Sequence, residues 1–237
     1  VWVASIDDPS DSKPVTQDHG RGIRSYGWTF TNRHIAYTQD DGGDENWHIY
    51  SVDIITKKIA DLTPIDGVQA RFQEISPNYP EELLLALNDR DPQLHDIYKV
   101  NIITGTRELI EQNEGFAGYI TDENYKIRFA NRVTPDGGNE ILSRSDDGTW
   151  SQFLKIEVED TLTTSPLGFD KSGRSVYLVD SRGRDTAALV SLNIDTGKLT
   201  LLAENTRADV SDTMIHPIEK TVQAVAFTHE RKQWQIM

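Results

Sequence analysis

The 237-residue chain contains no cysteine. Disulfides, thiolate metal sites and a cysteine nucleophile are therefore excluded within it. The absence fits a reducing compartment, and a cytoplasmic location is the expectation. Positive charge is scarce: 24 lysines and arginines stand against 38 acidic residues, for a formal net charge of −14. Phosphate binding rests on Lys and Arg, so neither nucleic acid nor an anionic membrane is an expected partner. Hydrophobic residues make up only 37% of the chain, and no apolar run approaches the roughly 20 residues that cross a bilayer. No charged-then-apolar leader precedes the strand-like Val1-Trp2-Val3, although a leader removed earlier would leave no trace. Helical periodicity, linkers and low-complexity tracts are missing too.

What the sequence has instead is a recurring strand–turn unit. It reads Tyr50-Ser51-Val52-Asp53-Ile54-Ile55-Thr56, then Tyr98-Lys99-Val100-Asn101-Ile102-Ile103-Thr104-Gly105, then Val190-Ser191-Leu192-Asn193-Ile194-Asp195-Thr196-Gly197. Thr56 and Thr104 are 48 positions apart, and Thr104 and Thr196 are 92 apart, about two such steps. A weaker copy ending Asp146-Asp147-Gly148 falls between, 43 residues after Gly105 and 49 before Gly197. A β-type repeat with a period in the forties is the signature of propeller blades.

Within each unit the apolar residues alternate, as in Tyr50, Val52 and Ile54 against Ser51 and Asp53. That period predicts a strand with one buried face. The Thr-Gly and Asp-Gly endings supply the positive φ of a tight hairpin. Returning strands are expected at 58–63, 107–110 and 198–202. Second strands are expected at 34–38, 83–87, 127–130, 176–179 and 222–227. First strands are expected at 27–30, 70–75, 116–120, 166–169 and 210–215. Four strands per unit define an all-β propeller of four-stranded antiparallel blades. The whole chain, 1–237, reads as one propeller domain or a portion of one. Its approximate whole blades are 27–64, 67–113, 114–160 and 161–205. A half-blade at 1–17 and a partial one at 207–237 either complete a fifth blade together or leave a slice of a larger propeller, the latter being preferred. Open strand edges invite association, so a homo-oligomer is among the expected partners.

The loops between second and third strands are highly charged: Gln39–Glu45, Asn88–Pro92 and Asp180–Asp185. Occupying the same place in successive blades, they are expected on one rim. Arg90, Arg182 and Arg184 are its candidate binding residues, because a guanidinium grips a carboxylate with two bonds. Asp40, Asp91 and Asp185 complete the candidate rim. The same residue types also suit solvated turns. Asp40, Asp41, Asp44 and Glu45 suggest calcium, but Ser51 stands where an EF-hand needs its last glutamate, so no metal is assigned. The six histidines, His19, His34, His48, His95, His216 and His229, show no His-Glu-x-x-His spacing. His48 and His95 both precede a third strand, which suggests a repeated structural role. No Gly-x-Ser-x-Gly elbow occurs; Gly173-Arg174-Ser175-Val176-Tyr177 comes nearest and lacks the second glycine. No catalytic residue and no cofactor is therefore assigned. The five tryptophans, Trp2, Trp28, Trp47, Trp150 and Trp234, are expected in core and inter-blade packing.

Several stretches carry a family resemblance. They are Asp44-Glu45-Asn46-Trp47-His48-Ile49-Tyr50, Asn88–Pro92 leading to His95-Asp96-Ile97-Tyr98, Gly115-Phe116-Ala117-Gly118-Tyr119, Ala208-Asp209-Val210-Ser211-Asp212 and Ala224-Val225-Ala226-Phe227. From about Val1 to Trp234 the chain resembles the propeller domain of prolyl oligopeptidase-family serine peptidases, of the acylaminoacyl-peptidase or dipeptidyl-aminopeptidase type. The resemblance implies a C-terminal α/β-hydrolase domain as partner and oligopeptides as substrates. It implies that the propeller gates access to a Ser-Asp-His triad. That triad lies in a domain this sequence does not contain, and the blade count falls short of the usual seven or so. The chain is thus expected to be a portion of such an enzyme or a free propeller. Two other classes compete: a scaffold for protein binding of the Tol-associated or WD-repeat sort, and a metal-centred propeller lactonase, against which the dispersed histidines argue.

Overall fold

The computed structural model describes residues 1–18, 20 and 22–237; His19, one of the six histidines, lies outside the described residues. The chain forms two compact units. The first, Val1–Gly115 with Glu123–Tyr125, begins with a two-stranded pair, β1 (Trp2–Val3) and β2 (Lys13–Pro14). Two four-stranded antiparallel meanders follow. One is β3 (Ser25–Trp28), β4 (His34–Gln39), β5 (His48–Asp53) and β6 (Ile59–Asp61); the other is β7 (Ala70–Ile75), β8 (Glu82–Asp91), β9 (Leu94–Asn101) and β10 (Arg107–Glu111).

The second unit, Phe116–Asp122 with Lys126–Met237, repeats the arrangement. It holds β11 (Gly118–Thr121), β12 (Ile127–Val133), β13 (Asn139–Arg144) and β14 (Trp150–Ile156), then β15 (Ser165–Phe169), β16 (Ser175–Asp180), β17 (Ala188–Asn193) and β18 (Leu199–Ala203). A three-stranded sheet follows, β19 (Val210–Ile215), β20 (Val222–Thr228) and β21 (Lys232–Ile236). Helix is confined, among the described residues, to single 3₁₀ turns at Pro9–Asp11 and Val158–Asp160. Four-stranded meanders of this kind are propeller blades, and the fold is an all-β propeller.

The repeat has a common turn. In its three strong copies the residue closing the third strand, Asp53, Asn101 or Asn193, accepts a backbone bond from the residue four further on, at 2.7, 2.8 and 2.9 Å. Its side chain also accepts from the turn: Asp53 Oδ1 from the Ile55 N–H, Asn101 Oδ1 from Ile103 and Thr104, Asn193 Oδ1 from Thr196. This is the Asx-turn chemistry that suits Asp and Asn to the position. The residue after the turn threonine is left-handed in all three, with φ +72° at Gly105, +67° at Gly197 and +58° at Lys57. The first copy thus carries a side chain where the others have glycine.

Two interlocked cores hold the first unit together. Ala36, Ile49 and Leu62 pack with Leu83, Leu85, Leu87 and Val100 of the next sheet. Val15, flanked by Val1 and Val3, packs with Ile35, Tyr37 and Val52. The second unit does the same: Phe129, Ile141 and Ile156 meet Phe169, Val176, Leu178 and Val190, and Leu189 and Ala203 meet Val225 and Phe227. The rings of Phe129 and Phe169 stack 5.6 Å apart. Each fully buried aliphatic or aromatic side chain contributes about 1.5–3 kcal/mol of transfer free energy.

Three expectations need correction. The one-faced reading of the repeat strands fails for β5, β9 and β17, because the alternate positions are buried as well: Ile49 and Ser51, Ile97, and Leu189. Sheets stacked face to face cover both sides of their inner strands, which alternation alone does not show. The stretch Asn88–Asp91 is not a loop; β8 runs through it to Asp91, and only Pro92 and Gln93 turn before Leu94. The tryptophans are not core residues. Trp2, Trp28 and Trp234 are all largely exposed, lying on the edge strands β1, β3 and β21, where one flank meets solvent. Trp150 packs against Phe116 and Tyr119 beside β14 instead.

Candidate functional site

The arginines singled out from the sequence do grip carboxylates, and the carboxylates are the protein's own. Arg90 Nε donates to Asp96 Oδ2 at 2.8 Å, and its Nη2 donates to Asp96 Oδ1 at 2.9 Å and to the Asn113 carbonyl at 2.6 Å. Asp96 Oδ1 also accepts the Asn113 N–H at 2.7 Å. Burial pushes the Asp96 carboxyl up, but the Arg90 and Asn113 hydrogen bonds outweigh it and hold the group below its ordinary range. The result is a clamp that ties the chain after β10 to the β8–β9 hairpin. Arg182 makes the same two-pronged pair with Asp180, at 2.8 and 2.9 Å, and it likewise overcomes the burial of that carboxyl. Arg184 Nη1 donates to Glu204 Oε2 at 2.9 Å. Sequence reasoning found the arginines but not Asp96, which sat inside a strand signal.

Of the candidate acids, Asp40 is buried at the end of β4, Asp91 accepts the Gln93 N–H at 2.9 Å in the hairpin tip, and Asp185 is exposed in the β16–β17 loop. Asp44 accepts from the Asn46 backbone and side chain, both at 3.0 Å. Among the described residues no group of three or more His, Cys, Asp or Glu side chains is placed to hold a metal ion. The two matched histidines differ. His48 Nδ1 lies 2.8 Å from Asp61 Oδ2, whereas His95 Nε2 is buried with no hydrogen-bond partner among the described residues. Burial, then the nearby Arg71 charge, pushes the His95 imidazole down from 6.5 to about 4, so it is neutral at pH 7.

Sequence reasoning missed a cleft of about 350 Å³ in the first unit, lined from the start of β3, from β4 and from β7. Arg24, Trp47, Arg71 and Phe72 line it, with the hydroxyls of Ser25 and Thr38 in mutual contact at 2.9 Å. The Arg24 guanidinium lies over the Trp47 ring, 5.0 Å from its centroid. Arg71 donates through Nε and Nη2 to Gln69 Oε1, at 2.9 and 2.6 Å. Gln69 is itself fixed: its Nε2 donates to the Glu45 carbonyl at 3.2 Å, and its backbone N–H donates to Asn88 Oδ1 at 2.6 Å. Arg24 and Arg71 are 47 positions apart, about one repeat, which is the signal that would have paired them.

No family model matches the chain. Curated relatives do, and two of them match along almost all of it. Dipeptidyl aminopeptidase BIII of Pseudoxanthomonas mexicana is 45% identical over 238 residues, covering 100% of this chain and 34% of its own length. Dipeptidyl peptidase family member 6 of Caenorhabditis elegans is 31% identical over 239 residues, covering 94% and 32% respectively. Among solved structures, a TolB protein of Agrobacterium tumefaciens superposes with a TM-score of 0.61 at 14% identity, covering 92% of this chain and 73% of its own. That likeness concerns the fold alone. The chain is an all-β propeller that matches one part of each of these relatives. It is homologous to dipeptidyl peptidases, and the resemblance to prolyl oligopeptidase-family propellers holds; it spans about a third of the length of the curated relatives it matches. No helix among the described residues is long and apolar enough to cross a membrane.

Proposed function

We propose that this chain is the non-catalytic propeller portion of a prolyl oligopeptidase-type serine peptidase, and that it gates the access of oligopeptides to an α/β-hydrolase domain. The 45% identity to a dipeptidyl aminopeptidase along the full chain carries this reading. A stiff cover of stacked blades over a serine active site admits extended peptides and excludes folded proteins. It also keeps water from the chemistry, where a low dielectric strengthens transition-state stabilisation. Asp40 and Asp91 in the first unit and Arg182, Arg184 and Asp185 in the second are the proposed docking residues, with Arg90 bracing the β8–β9 hairpin.

The test compares the 237-residue chain with the complete reading frame that contains it. The chain alone is expected to hydrolyse no peptide. The complete protein is expected to cleave dipeptidyl anilides and short peptides and to leave folded proteins intact. Peptide hydrolysis by the pure chain would refute the non-catalytic reading. Equal cleavage of folded and short substrates by the complete protein would refute gating. A complete protein with no peptidase activity would move the assignment to a propeller scaffold that binds other proteins.

A further inference from the structure

We infer that the β3–β7 cleft is a binding site for the carboxylate group of a peptide, held between Arg24 and Arg71. In this chain of −14 net charge, seven of the fourteen arginines are neutralised by its own acids among the described residues. Arg33, Arg90, Arg128, Arg132, Arg174, Arg182 and Arg184 all pair with Asp or Glu. Arg24 and Arg71 make no ion pair among the described residues, yet they line one cleft. Two uncompensated guanidinium groups in one recess repel each other and attract an anion.

Both groups are oriented, and both keep donors for a ligand. Stacking on Trp47 engages the face of the Arg24 guanidinium and leaves its N–H edges in the plane. The Gln69 bridge engages Nε and Nη2 of Arg71 and leaves Nη1 undonated among the described residues. Because Gln69 Nε2 is tied to the Glu45 carbonyl, its oxygen is the atom that faces Arg71. Such preorganisation lowers the ordering cost of binding. The overall negative charge repels polyanions, which leaves a singly charged carboxylate as the favoured ligand. Trp47 and Phe72 supply apolar wall for the side chain beside it, and the volume lies in the range of small-molecule and peptide pockets. The carboxylate belongs either to a peptide C-terminus or to a Glu or Asp side chain. Every residue the inference uses lies in this chain, so it stands independently of the peptidase reading.

The experiment is an NMR titration of the ¹⁵N-labelled 237-residue chain, following the Trp indole and Arg Nε–Hε signals. Trp47→Phe assigns the indole at the cleft. The probes are acetyl-Ala-Ala-Phe with a free carboxylate, its C-terminal amide, and acetyl-Ala-Glu-Ala-amide with its Gln counterpart. At least one carboxylate peptide is expected to shift the Trp47 indole saturably and to bind about tenfold more tightly than its neutral counterpart, as charge-assisted hydrogen bonds require. The tighter of the two carboxylate peptides identifies the source. Arg24→Gln and Arg71→Gln are each expected to weaken binding about tenfold with the fold retained by circular dichroism. Neutral peptides that bind equally, or no shift with either carboxylate peptide up to about 10 mM, would overturn the assignment. The wild-type comparison is decisive even if a substitution unfolds the chain.

Discussion

Strands β8 and β21 belong to sheets of the same kind and live in opposite environments. In β8, Leu83, Leu84, Leu85 and Leu87 are all fully buried, and both faces of the strand are covered. In β21 every residue is exposed, with Ile236 at 78%, and only β20 pairs with it among the described residues. The sequence of each strand reflects its place. A strand covered on both faces reads as an unbroken apolar run, and an edge strand reads as mixed. β8 is also paired on both flanks, to β7 and β9, so the two strands differ both in what lies above and below the sheet and in their hydrogen-bonded edges.

The contrast is sharpened most by Leu85→Ala in β8. It should cost about 2–5 kcal/mol, read as a lowered midpoint of urea unfolding, because stacked sheets collapse poorly into a cavity. A loss below about 1 kcal/mol would show that β8 is not the packed element its burial indicates. Asp96→Asn beside it in β9 should cost about 1–3 kcal/mol, since it removes the charge that Arg90 and the Asn113 N–H share. The measurement is again denaturant unfolding, paired with Arg90→Gln in a double-mutant cycle.

Acid should weaken the same region. The folded state depresses the His95 pKa from 6.5 to about 4, so between those values the unfolded chain binds the extra proton. Stability is then fully present above pH 6.5 and declines as pH falls toward 4. The melting temperature should drop across that window, and His95→Gln should flatten the drop. The carboxyls of Asp96 and Asp180, held low in the folded state, extend the loss in the same direction at lower pH. The smallest effect belongs to β21, where Ile236→Ser should change stability by no more than about 0.5 kcal/mol. A large loss there would mean that β21 is covered in solution.

Much of the fold was legible because its signal is local and repeated. The first strands at 70–75 and 210–215 match β7 and β19 residue for residue, since a turn bounds each run. The ends of β8 and β3 were misplaced for physical reasons. Asn88-Asp89-Arg90-Asp91 has loop composition, yet the Arg90–Asp96 pair neutralises its charge and lets the strand continue. After Trp28, Thr29 turns to bond the His34 carbonyl through both its N–H, at 3.0 Å, and its hydroxyl, which ends β3 early. The candidate site was half legible. Arginine beside aspartate was visible in the sequence, but whether a pair closes on itself or stays open depends on contacts between strands. Arg24 lies just before β3 and Arg71 lies in β7, and only the fold brings them to one cleft.

The Arg90–Asp96–Asn113 clamp carries one more consequence, for engineering. It fastens the base of the β8–β9 hairpin, so that only the exposed Pro92 and Gln93 project past Asp91 and Leu94. A segment spliced in at that tip meets a fastened base and leaves the register of the sheet below undisturbed. Since each doubling of a loop's length adds only about 0.6 kcal/mol of closure cost, the hairpin is a ready socket for a grafted epitope, affinity tag or reporter peptide.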